Sequence, residues 1–70
     1  MKEKFMALYM RTLENCRFYE DIEQAKKLHN EIGVLRGIAY CLEEIGVDPR
    51  TLPGLAGFID IQNNYNGYNY

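Results

Sequence analysis

Seventy residues with eight basic and ten acidic side chains, two cysteines and a formal net charge of −2 exclude a second domain, a disulfide-dense scaffold and a basic footprint for nucleic-acid phosphates. A chain this short hides about 60% of the surface its unfolded form exposes, so its thin core needs support from helix packing or self-association. No apolar run reaches the length of a membrane span, and Met1-Lys2-Glu3-Lys4 opens without the apolar core of a signal peptide. The expectation is a cytoplasmic chain with reduced thiols and no membrane contact.

From Lys2 to about Phe18, the residues Phe5, Met6, Tyr9, Leu13 and Cys16 recur at three- and four-residue steps, which predicts one buried helical face. A second stripe, Ile22, Ala25, Leu28, Ile32, Leu35, Ala39 and Leu42, is out of phase with the first, so the chain is expected to turn at residues 19 to 21. Asp21 followed by Gln24 has the form of a capping box and starts the second helix, over about 22–45. A turn at His29-Asn30 is the competing boundary, and the unbroken stripe across Asn30 argues against it. Gly46 supplies a left-handed C-terminal cap, with Pro49 close behind to prevent continuation.

At 1.5 Å per residue, these helices would be about 25 and about 36 Å long. The prediction is therefore an all-α protein: an antiparallel two-helix hairpin with a longer second helix, whose overhang at Cys41, Leu42 and Ile45 needs a cover. Asp48-Pro49-Arg50-Thr51 has the form of a helix start, but Pro53, Gly54 and Gly57 allow only a short helical turn in the apolar segment 49–61. That segment or a second copy of the chain is expected to cover the overhang. Residues 62–70 contain Asn, Tyr and Gly with no charge, the composition of a flexible, adhesive tail. Tyr65, Tyr68 and Tyr70 have no Lys or Arg beside them to make a base-stacking surface.

Gly33 and Gly37 lie one turn apart within the second helix, with Cys41 one turn further. Each glycine costs roughly 1 kcal/mol relative to alanine, and the pair opens a groove where another backbone can come close. Either the first helix of the same chain or a second subunit or foreign protein could fill it. Cys16 and Cys41 fall near opposite ends of the hairpin, more than about 30 Å apart by helix rise, so both are read as free, buried thiols acting as small hydrophobes. Cys16, His29 and Cys41 lack metal-ligand spacing, and residue 16 falls opposite about residue 24 rather than His29. No metal, cofactor or catalytic residue is therefore expected, and His29 is read as a surface residue beside the seam. Glu20, Asp21 and Glu23 suit a helix start, whereas Glu43 and Glu44 near a helix end are read as a solvated face, with an acidic contact to a basic partner as the alternative.

The run Asp21-Ile22-Glu23-Gln24-Ala25-Lys26-Lys27-Leu28-His29-Asn30-Glu31-Ile32, with Leu35 beyond, resembles the second helix of UVR-type hairpins, the small coiled modules of nucleotide-excision-repair and Clp-associated proteins. Ile22 replaces that pattern's aromatic and His29-Asn30 its Arg-Asp pair. The resemblance covers about a fifth of the chain and implies a two-helix protein-binding module.

The reading from sequence is a non-enzymatic interaction module, homodimeric, that binds and inhibits a larger protein in the manner of phage or mobile-element accessory products. Its expected contact surface is Gly33, Gly37, Cys41 and Leu42 on the second helix and Leu55, Phe58 and Ile59 after it. The alternative is a nucleic-acid-binding accessory whose dimer gathers Lys2, Lys4, Arg11, Lys26 and Lys27.

Overall fold

The structure is a computed structural model that describes residues 1–64. Its elements are α1 (Lys2–Asp21), α2 (Ala25–Glu44), a 3-10 turn (Pro49–Thr51) and α3 (Leu55–Asn63), so the described residues are all-helical. α1 and α2 pack against each other as a hairpin, and α3 and the 3-10 turn lie on α2.

α1 holds neither glycine nor proline, and nothing in its backbone stops it at Phe18. It continues to Asp21 and buries Tyr9, Thr12, Leu13 and Cys16, with Phe5, Met6 and Tyr19 packed around them. The chain reverses at Ile22-Glu23-Gln24, later than the expected 19–21. Gln24 N–H donates to Tyr19 C=O at 3.0 Å and Glu23 N–H to Glu20 C=O at 3.2 Å, while Glu23 adopts φ +56°. This is a Schellman termination, in which a left-handed residue lets two amides satisfy the last carbonyls. Asp21 is thus the last residue of α1 rather than the cap of α2, and Ile22 is exposed in the turn.

α2 runs unbroken through His29 and Asn30 and buries Leu28, His29, Ile32, Leu35, Ala39 and Leu42. It is a twenty-residue helix like α1, so the expectation of a longer second helix fails: α1 gains residues 19 to 21 and α2 begins three residues later than expected. The same Schellman pattern ends it, with Val47 N–H to Leu42 C=O at 2.9 Å, Gly46 N–H to Glu43 C=O at 3.0 Å, and Gly46 at φ +97°.

Asp48 then starts the 3-10 turn: its carboxylate accepts from Arg50 N–H at 2.9 Å, and its carbonyl accepts from the Thr51 hydroxyl at 2.6 Å. Gly54 takes φ +74° immediately before α3, and a Cβ there would stand 2.7 Å from Leu13 Cδ1. The backbone therefore comes down onto the Leu13 side chain of α1, and a residue with a Cβ there would be strained at that φ and would force Leu13 to shift. α3 is a nine-residue helix, longer than the single turn expected from Gly57. Burial of Leu55 and Phe58, at roughly 1.5–3 kcal/mol for each fully buried side chain, outweighs the cost of one mid-helix glycine. Leu52, Leu55 and Phe58 join Tyr9, Leu13, Ile32, Leu35 and Leu42 in one core. With α1 as long as α2 the expected overhang does not arise: Leu42 is fully buried, whereas Cys41, read as a buried thiol, and Ile45 are exposed. Of the tail expected over residues 62–70, Gln62 and Asn63 belong to α3, and residues 65–70 lie outside the described residues.

Candidate interaction surface

Burial of Leu28, Ile32, Leu35, Ala39 and Leu42 fixes which way α2 faces. The opposite side carries Lys26, Asn30, Gly33, Gly37, Tyr40 and Glu44, all exposed. Their alternating four- and three-residue steps make one straight stripe along a helix. Val34 and Cys41 flank it, with Tyr40 63% and Val34 48% exposed. A Cβ built on Gly33 or Gly37 would meet nothing within 4 Å among the described residues. The groove therefore points away from α1, and the first helix of the same chain does not fill it.

The seven residues expected to share one contact surface are divided among three environments. Gly33, Gly37 and Cys41 lie on the outer face of α2. Leu42, Leu55 and Phe58 lie in the core, because α3 folds back over α2 and leaves them no exposed face. Ile59 is half-buried beside a cleft of about 160 Å³ between α2 and α3, whose rim carries Arg36, Tyr40, Glu43 and Pro49. Tyr40 thus borders both the stripe and the cleft. Arg36 Nη1 hydrogen-bonds Gln62 Oε1 at 2.6 Å, tying α2 to the end of α3 along one side of that cleft. Val34 and Tyr40 were not singled out from sequence; the signal was their adjacency to the glycine stripe, which becomes informative once the buried face is known.

The titratable groups of the interior are held in their neutral forms. Burial pushes the Cys16 thiol up to about 11, with the nearby charges of Glu31 and Glu20 adding to the effect. His29 is buried rather than on the surface beside the seam, and burial lowers its pKa. A protonated thiol and a neutral imidazole are the opposite of the thiolate and imidazolium pair of an activated cysteine. Among the described residues no group of three His, Cys, Asp or Glu side chains is placed to hold a metal ion, and no helix is long and apolar enough to cross a membrane. Lys2 and Lys4 begin α1 at the end of the hairpin away from the turn, whereas Lys26 and Lys27 lie beside the turn, so a single chain does not gather the basic residues.

Compared with known proteins, the chain matches no family model, no curated sequence and no solved structure.

Proposed function

We propose that this chain is a small, non-catalytic protein-binding module whose docking surface is the outer face of α2. One observation carries the reading: Gly33 and Gly37 weaken α2 by roughly 1 kcal/mol each, and nothing among the described residues uses the space they leave. Neither glycine has a left-handed φ that would require it. Their small size has a use when another backbone approaches from outside, and Val34 and Tyr40 supply exposed apolar and aromatic area on either side. Tyrosine in particular is enriched at protein interfaces.

In this reading the hairpin is antiparallel, with α3 closing its inner side, so that α2 offers one face to the core and the other to a partner. The chain acts in the cytoplasm as an accessory factor of phage or mobile-element type, and it modulates a larger protein through the surface that lies beside the docked face of α2. A foreign partner has the cleft beside Tyr40 and Ile59 as a foothold.

The test is site-specific photo-crosslinking from position 34 in cells expressing the chain, with and without Gly37→Leu. Gly37 has open space for a side chain, so the variant keeps its helicity by circular dichroism. Cross-linked protein species that disappear with Gly37→Leu support the reading. Absence of any Gly37-dependent species would remove it.

A further inference from the structure

We infer that the occupant of the α2 face is a second copy of this chain, packed with its own α2 antiparallel across the groove. The inference rests on the reading of that face as a docking surface, and it is carried by the charge distribution along α2. Lys26 and Lys27 lie in the first turn and Glu43 and Glu44 in the last, with no acidic residue in the first turn and no basic residue in the last. This is the reverse of what the helix macrodipole favours. At the turn, Glu20, Asp21 and Glu23 adjoin the lysines in sequence. At the far end, Glu43 and Glu44 form no ion pair among the described residues.

An antiparallel partner brings a cation to the acidic end of each α2. The stripe has the same spacing read in either direction, so a two-fold axis midway between Gly33 and Gly37 sets Gly33 against the partner's Gly37. The same axis sets Asn30 against the partner's Tyr40 and Lys26 against the partner's Glu44. Both ends of the seam then carry opposite charges, and each cation arrives at the negative end of the neighbouring helix. Val34 meets the partner's Val34 across the axis, while Arg36, on the other flank, is drawn toward α3 by its hydrogen bond to Gln62. The interface is isologous, so it closes at two copies. A parallel pair would instead place lysines against lysines and glutamates against glutamates.

Sedimentation equilibrium from micromolar to millimolar concentration tests the register with Lys26→Glu and Glu44→Lys. Each substitution improves the match of α2 to its own dipole, so neither is expected to unfold the chain. Each replaces two attractive pairs of the dimer by two repulsive ones, and the expected result is about tenfold weaker self-association at low salt. An equimolar mixture of the two variants restores opposite charges at both ends and is expected to recover the wild-type dissociation constant. Mild oxidation gives a second reading: antiparallel packing keeps the two Cys41 residues about 18 Å apart along the helix axis, so little Cys41-to-Cys41 disulfide forms.

A wild-type chain monomeric throughout, variants that associate like wild type, a mixture that does not recover, or ready Cys41 cross-linking each overturns the inference. If position 34 cross-links only to a foreign protein while the chain itself stays monomeric, the docking reading stands and the second copy does not.

Discussion

The phenolic hydroxyl of Tyr9 donates a hydrogen bond to the carbonyl oxygen of Pro53 at 2.7 Å, joining the middle of α1 to the segment that leads into α3. Beside it, Gly54 presses onto Leu13, so two successive turns of α1 receive the returning chain. This junction closes the core on the side that two helices alone leave open. Replacing Tyr9 with phenylalanine keeps the ring and removes the bond, at an expected cost of about 1 kcal/mol. In urea that corresponds to a midpoint lower by roughly 0.5–1 M with an unchanged slope. An unmoved midpoint would mean that packing alone positions α3.

The same residue makes stability depend on alkaline pH. Tyr9 is pushed up from 10.0 to about 12 by burial, by the Cys16 charge to a lesser degree, and against the smaller opposing effect of Arg17. Cys16 is pushed up from 9.0 to about 11. In both cases the folded state retains a proton that the unfolded chain releases, so the contribution is complete below about pH 9 and is lost as pH rises from there to about 12. Urea midpoints measured between pH 8 and 11 should fall progressively, and Tyr9→Phe should flatten the upper part of that decline. A profile level to pH 11 would contradict the burial of both groups.

Glu23 holds a left-handed conformation, φ +56°, that costs a residue with a Cβ roughly 1–2 kcal/mol. Glycine removes that strain but adds backbone entropy to the unfolded chain, leaving an expected net gain of about 0.5–1 kcal/mol for Glu23→Gly. For a domain of this size that raises Tm by about 2–8 °C. Calorimetry would show it, and a lower Tm would mean that the Glu23 side chain contributes to the turn in its own right.

The two thiols should separate cleanly by reactivity. Cys41 is exposed and Cys16 buried, with the latter's pKa raised to about 11. A disulfide reagent at pH 8 should modify Cys41 in a fast phase. Cys16 should follow only at the rate of global opening, accelerating with urea. Two fast thiols would show that the α1 and α2 seam opens locally near the turn.

Much of the helical order was readable beforehand because it depends on local rules. The buried stripe of Leu28, Ile32, Leu35, Ala39 and Leu42 follows directly from helical period, and Gly46 ends α2 because glycine tolerates the conformation at that point. The first turn falls later than spacing predicts because the same termination is made with Glu23, a residue type that gives no left-handed signal, while Asp21 has the form of a cap one turn earlier. α3 was underestimated because Gly57 weakens it locally, and its support comes from Leu55 and Phe58 meeting residues distant in sequence.

The candidate surface divides in the same way. Residue spacing already makes the chain helical, sets Gly33 and Gly37 on one face and puts Lys26 and Glu44 at opposite ends of one helix, since spacing along a helix sets azimuth. It takes the packed chain to show that this face is the outer one, that Leu42, Leu55 and Phe58 are core, and that Tyr40 adjoins the cleft. Periodicity specifies which residues point together but not what they point at. That depends on which faces of α1, α2 and α3 bury the most apolar area against one another, a property of the packed chain rather than of any one segment.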